Sequence, residues 1–197
     1  MSRGGHMRIG SKTSLLFLAC CLVSALASAQ SQPSEWDRIY RVLTSPRCLN
    51  CHTSTDYPRQ GDDRHVHKFG VLRGQDGNGV PGAMCAACHG AINNAAAGIP
   101  GGKGWHLAPL SMSWEQRPGV AMTSAQLCFM LKDPARNGKR DLNALLEHNS
   151  HEPLVNWAWQ PGAHPNGEPR QPPPMPHDAF VEVFRQWVAK DGPCPAQ

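Results

Sequence analysis

Two stretches of the sequence share the pattern Cys-x-x-Cys-His: SPRCLNCHTS at 45–54 and GAMCAACHGA at 82–91. The two patterns lie 37 positions apart in a chain of 197 residues. Two cysteines separated by two residues occur in redox pairs, in zinc sites and in disulfides. None of these kinds of site accounts for a histidine directly after both pairs, so the histidines decide which kind of site is present.

The first 29 residues have the layout of a secretory signal peptide. Three basic residues come before the apolar run 15–23 (LLFLACCLV), and small residues at 27–29 (ASA) form a cleavage site. The apolar run is shorter than the roughly 20 residues that a membrane-spanning helix needs. The sequence therefore predicts a periplasmic protein, cleaved near Ala29, with no stable membrane span. The alternative is a retained N-terminal anchor.

Removal of residues 1–29 changes the charge and the cysteine count. The whole sequence has 19 Lys and Arg against 15 Asp and Glu; the segment holds three of the basic residues and none of the acidic ones, which leaves 16 against 15, a net charge of +1. This balance gives no argument for nucleic-acid binding. Four of the eight cysteines lie in the two motifs, and Cys128 and Cys194 remain as an even pair.

Cys-x-x-Cys-His is the attachment sequence of c-type haem. On a helical turn, cysteines three positions apart face the same side, where both can form thioethers with the two vinyl groups of haem. The histidine, four positions after the first cysteine, shares that face and is the proximal ligand of the iron. The six motif residues are assigned to two haem c groups: Cys48, Cys51 and His52 to haem 1, and Cys85, Cys88 and His89 to haem 2.

Three further kinds of site could contain these cysteine pairs, but each accounts for less of the sequence. A tetrahedral zinc site made by all four motif cysteines fits the paired spacing. It leaves both histidines without a role, and it places four thiols in an oxidising compartment. A thioredoxin-like redox pair needs a βαβ context, which the sequence lacks. A disulfide within each motif would be strained.

The rest of the sequence predicts helices separated by long loops, since the chain contains 19 Gly and 18 Pro. Apolar residues at helical spacing and helix start and stop signals predict four helices, at 34–43, 123–132, 140–148 and 178–190. Each motif is expected on a short helix, and no alternating run is long enough to predict a strand. A disulfide between Cys128 and Cys194 would link the second and last of these helices. The expected fold is mainly α, with Pro/Gly-rich loops, as one domain over 30–197.

On the residues Cys48–His52 and Cys85–His89, the chain resembles small exported dihaem c-type cytochromes. Four further segments follow the order seen in exported dihaem proteins that are partners of isoquinoline-oxidising molybdenum enzymes: WHLAPLSMSW (105–114), LKDPARNG (131–138), NWAWQPG (156–162) and GPC (192–194). The resemblance implies a compact cytochrome domain around two covalent haems. It also implies a donor and an acceptor protein, with a periplasmic molybdenum-containing dehydrogenase as a candidate partner.

The sequence leaves the sixth ligand of each iron open. Methionine as this ligand raises the potential of a haem, and an open position permits binding of small molecules. Five side chains are candidate distal ligands: Met112 in a Pro-x-x-Met loop, His106 in the same segment, His67, and His148 and His151 near the end of a predicted helix.

His67 and its neighbour His65 closely follow the first motif, and one of them is a candidate ligand of haem 1. Alternate positions send the two side chains to opposite sides of the segment. His67 is preferred because Phe69 and Val71 suggest that its side is the apolar one.

Two haem motifs in about 168 residues leave little room for a substrate domain. No paired carboxylates, Ser/His/Asp set or phosphate-binding loop stands out in the sequence. The sequence therefore predicts an electron-transfer protein that relays electrons through two neighbouring haems. The alternatives are a dihaem peroxidase-like or small-ligand-binding haem enzyme with one open distal site, and a sensor or subunit with no activity of its own.

Overall fold

The computed structural model describes residues 1, 4–5 and 32–196. The predicted signal peptide and its cleavage site near Ala29 therefore lie outside the described residues, apart from positions 1, 4 and 5. By its internal contacts the chain divides after Gln32, and the unit from Pro33 onward contains all the helices and strands named below.

Helices and loops dominate this unit, as the sequence predicts. Six α-helices lie within the described residues: α1 Glu35–Leu43, α2 Pro46–Leu49, α3 Ser124–Leu131, α4 Leu142–His151, α5 Pro153–Trp157 and α6 His177–Val188. Three 3₁₀ turns accompany them, at Lys68–Gly70, Cys85–Ala87 and Leu110–Met112. Within the part of the chain that the structure describes, no helix is both long and apolar enough to cross a bilayer.

Three antiparallel hairpins of very short strands lie between α2 and α3. They pair β1 Arg59–Gln60 with β2 His65–Val66, β3 Gly79–Val80 with β4 Ala83–Met84, and β5 Glu115–Arg117 with β6 Val120–Ala121. The sequence does not predict these strands, because two or three residues are too few to show an alternating pattern.

Capping side chains mark where α1 and α3 begin. Ser34 and Asp37 form a reciprocal capping box at the start of α1, and Thr123 and Gln126 form another at α3. The end of α4 differs from the prediction, because the helix continues through 149–151 instead of ending at 148. Side-chain hydrogen bonds to carbonyls one turn earlier, from Asn149 to Leu145 (2.8 Å) and from Ser150 to Leu146 (2.7 Å), accompany this extension.

The hydrophobic core lies where α1, α3 and α6 meet. Its largest fully buried side chains are Trp187, Phe180 and Phe184 of α6 with Ile39 of α1 and Leu127 of α3. These residues occupy the apolar stripes that helical spacing predicts. The core supports one wall of the first motif's site.

The expected disulfide is present between Cys128 of α3 and Cys194, which follows α6, with 5.6 Å between the Cα atoms. Hydrogen bonds reinforce the same junction. Trp187 Nε1 donates to the Pro193 carbonyl (2.9 Å), and Lys132 Nζ donates to the Asp191 carbonyl (2.9 Å). The C-terminal segment is thus fastened to α3.

Candidate haem-binding sites

The first motif forms a single tight turn. α2 begins at Pro46, which is suited to the first helical position because it lacks an N–H, and it carries Cys48. The N–H of Cys51 donates to the Cys48 carbonyl (3.2 Å), and the N–H of His52 donates to the same carbonyl (3.0 Å). The two thiols and the imidazole therefore lie on adjacent positions of one turn.

The second motif has the same hydrogen-bond pattern on a 3₁₀ turn. The N–H of Cys88 donates to the Cys85 carbonyl (3.2 Å), and the N–H of His89 donates to it as well (2.9 Å). The β3–β4 hairpin leads directly into this turn, and its Gly79 has φ +96° with no room for a Cβ, which would lie 2.4 Å from the Ala83 carbonyl oxygen. The two motifs thus share these two backbone hydrogen bonds as well as their sequence pattern.

None of the four motif cysteines forms a disulfide. Burial raises the pKa of Cys48 to about 12 and that of Cys51 to about 11. This shift is opposite to that of reactive cysteines in redox motifs, whose pKa is lowered. Among the described residues, no group of three or more His, Cys, Asp or Glu side chains is arranged to hold a metal ion.

The ring of His52 is held on two sides. Its Nδ1 donates to the Met112 carbonyl (2.8 Å), and the indole of Trp114 stacks on it, with 3.6 Å between the ring centroids and 9° between the planes. Burial lowers the pKa of His52 to about 4, although the Met112 carbonyl acts in the opposite direction. The imidazole is neutral at pH 7 and keeps Nε2 for a metal, as metal-binding histidines usually do.

The ring of His89 has the same two kinds of contact. Its Nδ1 donates to the Pro100 carbonyl (2.7 Å), and Trp105 stacks on it, with 4.6 Å between the centroids and 6° between the planes. Burial lowers its pKa as well. A carbonyl at Nδ1 and an indole on the ring face therefore orient both motif histidines.

A cavity of about 400 Å³ lies against the first motif. Cys48, Cys51 and His52 line it, and α1, α3, α4 and α6 contribute largely apolar walls that include Val42, Leu131, Leu145 and Phe180. Its volume falls in the range of about 300–1,000 Å³ that is usual for ligand sites.

Two buried N–H groups without a protein partner indicate which kind of ligand this cavity can bind. Arg47 Nε and Trp114 Nε1 are both buried and unpartnered, and both residues line the cavity. Arg140 lines it too. Because buried polar groups nearly always have a partner, an apolar ligand that carries carboxylates fits these donors. Haem, with a porphyrin ring and two propionates, has this chemistry, so the residues of the first site fit it.

The second motif lies at the surface. Cys88 is exposed, and large apolar side chains nearby in sequence are exposed too: Met84 by 45% and Ile92 by 81%. A covalently attached porphyrin at Cys85 and Cys88 would cover apolar surface beside the motif.

One indole connects the two sites. Trp105 stacks on His89, and it also lines the cavity of the first motif. Its other ring neighbour is Trp157, at 4.7 Å between centroids, which lines the cavity as well. The two motifs therefore lie next to each other within one unit.

Three of the five candidate distal ligands line the cavity of the first motif: Met112, His106 and His148. His148, on α4, is close enough to His52 to contribute to the lowering of the His52 pKa. The backbone carbonyl of Met112 is bound to His52 Nδ1 and so lies at the edge of that ring away from Nε2.

The remaining two candidates lie elsewhere. The side chain of His151 is 72% exposed and lies 3.8 Å from Glu147, outside the lining of the cavity. The ring of His67 lies beside His89 of the second motif, at 6.0 Å between centroids, whereas the sequence associates it with haem 1. The reason for preferring His67 does not hold, because Phe69 is 92% exposed.

Two buried charged residues that the sequence does not single out hold the segment after His52. Glu115 accepts hydrogen bonds from Thr53 Oγ1 (2.9 Å) and from the Ser54 N–H (2.7 Å), and it pairs with Arg64. Arg73 Nη2 donates to the Thr53 carbonyl (2.8 Å). Neither residue belongs to a motif, so only their burial identifies them.

Comparison of the chain with known protein families, with curated proteins and with solved structures gives no match. The interpretation of the two sites therefore depends on their residues and geometry.

Proposed function

We propose that this chain is an exported, periplasmic electron-transfer protein in which Cys48, Cys51 and His52 bind one haem c and Cys85, Cys88 and His89 bind a second. The observation that carries the proposal is the repeated arrangement of the motifs. In each, the histidine N–H donates to the first cysteine's carbonyl, Nδ1 donates to a backbone carbonyl, and a tryptophan stacks on the ring. This arrangement prepares Nε2 of both histidines as an axial ligand.

Some residues of the two sites would attach the haem, and others would orient it. The four thiols would form thioether bonds with the two haems, Nε2 of His52 and of His89 would bind the iron, and Arg47 Nε and Trp114 Nε1 would donate to carboxylates of a ligand in the cavity. The bound cofactor supplies an iron that gains and loses one electron reversibly. Trp105 contacts both sites, which supports direct electron transfer between them.

The proposed partners are one donor and one acceptor protein. A periplasmic molybdenum-containing dehydrogenase is the proposed donor, and this part rests on the resemblance of the segments 105–114, 131–138, 156–162 and 192–194. Co-purification of the mature chain with such an enzyme, and reduction of its haems by that enzyme, would test it.

Electron transfer is favoured over a peroxidase-like or ligand-binding enzyme, because side chains able to bind iron lie at both sites. Met112, His106 and His148 line the first cavity, and His67 lies beside His89. We expect neither haem to bind cyanide rapidly. Rapid binding by one haem in the purified holoprotein would support the enzyme instead.

Production of the full chain with a c-type maturation system tests the proposal. We expect a pyridine haemochrome spectrum of two haem c per chain. The double variants Cys48→Ala/Cys51→Ala and Cys85→Ala/Cys88→Ala should each retain one. A folded wild-type protein without covalent haem would overturn the proposal.

A further inference from the structure

The two histidine rings at the second motif come from separate parts of the chain. His67 precedes His89 by 22 positions, and their ring centroids are 6.0 Å apart with 66° between the planes.

In both rings, Nδ1 is hydrogen-bonded to a backbone carbonyl. Nδ1 of His67 lies 2.6 Å from the Lys68 carbonyl, and Nδ1 of His89 lies 2.7 Å from the Pro100 carbonyl. Nε2 is therefore the nitrogen that each ring has for a metal. Two imidazoles on opposite sides of one metal ion have centroids roughly 6 Å apart, because each metal–nitrogen bond is about 2 Å. The observed separation matches this arrangement.

The backbone around His67 is fixed by its own contacts. Its N–H donates to the Pro58 carbonyl (3.0 Å), directly after β2, and the N–H of Lys68 donates to Gln60 Oε1 (2.8 Å). Phe69 follows in the left-handed region at φ +67°, which a residue with a side chain adopts only when its surroundings require it. The β1–β2 hairpin thus presents His67 to the second motif.

Of the other candidate ligands, Met112, His106 and His148 line the first cavity, and the side chain of His151 is largely exposed. We propose that His67 is the distal ligand of the haem at the second motif, which makes this a two-histidine site with His89. The inference rests on the proposed function. It implies that haem 2 has no position for small molecules and has a lower potential than a His/Met haem.

Substitution of His67 by methionine tests this in the holoprotein. In His67→Met, we expect the near-infrared magnetic circular dichroism band of one His/His haem to be replaced by that of a His/Met haem, and the potential of one haem to rise. His65→Met is the matched control, because His65 lies two positions earlier on β2, is exposed and is bonded to Asp63. It should leave both spectra and both potentials unchanged.

A second variant, His67→Gly, tests the inference without requiring a methionine side chain to reach the iron. His67→Gly should retain two covalent haems by mass, and one of them should bind cyanide rapidly until added imidazole restores the wild-type spectrum. Two haems with unchanged spectra and no cyanide binding would overturn the inference.

The wild-type protein separates this inference from the proposed function. Absence of covalent haem contradicts the proposed function, whereas two covalent haems without a His/His signature contradict only the role of His67. If neither variant accumulates, the spectrum of Cys48→Ala/Cys51→Ala, which keeps only haem 2, decides the matter: a His/His signature is expected, and its absence would overturn the inference.

Discussion

At the scale of residues, side chains outside the motifs give the motif histidines their orientation. Met112 and Pro100 contribute carbonyls, and Trp114 and Trp105 contribute stacked rings. The sequence predicts the proposed attachment and ligand residues, because five consecutive positions define each motif. It does not predict their supports, which lie 11 to 62 positions away and share no common spacing.

The first prediction at this scale concerns Arg47 and the redox potential of the haem proposed for the first site. The Arg47 guanidinium lines the first cavity, where it pairs with Asp62. Its positive charge would disfavour the oxidised iron of a haem bound there, so Arg47→Gln should lower the potential of that haem. The expected shift is on the order of 70 mV, since a unit charge roughly 10 Å away contributes about 1.7 kcal/mol at an effective dielectric constant of about 20, which is about 70 mV for a one-electron couple. Redox titration measures it. The exposed Arg41→Gln is the control, and equal shifts in both variants would contradict this role for Arg47.

Glu115 provides a prediction about stability and pH. Burial alone would raise the pKa of Glu115, but hydrogen bonds from Ser54, Arg64 and Thr53 outweigh it and lower the pKa. The carboxylate therefore stabilises the fold above its unfolded pKa of about 4.3, and this contribution is lost as pH falls through the folded pKa. Glu115→Gln should cost about 3 kcal/mol at pH 7 and progressively less in acid.

Denaturant unfolding of wild type and Glu115→Gln at several pH values measures this difference. Glu147→Gln is the matched control because its side chain is 74% exposed, and it should change stability by no more than about 0.5 kcal/mol. A difference for Glu115→Gln that does not shrink in acid would argue against the buried carboxylate.

At the scale of elements, the sequence predicts the helices that are long enough to show a helical period. α1, α3 and α6 follow their predicted ranges within a few residues. The helix α5, Pro153–Trp157, is not predicted, because five residues are too few to show a helical period. The hairpins are missed for the same reason, although the β1–β2 hairpin positions His67 and the β3–β4 hairpin leads into the second motif.

The Cys128–Cys194 disulfide provides the element-scale prediction. It closes a loop of 66 positions in sequence, so Cys128→Ala/Cys194→Ala should reduce the free energy of unfolding by about 4 kcal/mol in the chain-entropy model. Thermal and denaturant unfolding of the oxidised proteins measure the loss. Haem content should be unchanged, because neither cysteine lies in a motif. A loss below about 1 kcal/mol would mean that the contacts of α6 with α1 and α4 suffice.

At the scale of the whole molecule, the two sites are adjacent but differ in their surroundings. The first lies in a cavity beside the core, and the second lies at the surface with exposed apolar side chains nearby. The sequence predicts that the sites share one domain. It does not predict which distal candidate serves which site, because His67 follows the first motif in sequence and lies at the second in space.

The most direct test of the central claim is the intact mass of the mature exported protein, followed by the masses of its two motif peptides. We expect the polypeptide mass of 30–197 plus two haems, with one haem on the peptide that contains Cys48 and Cys51 and one on the peptide that contains Cys85 and Cys88. An exported, folded protein whose motif peptides carry no haem would contradict the account.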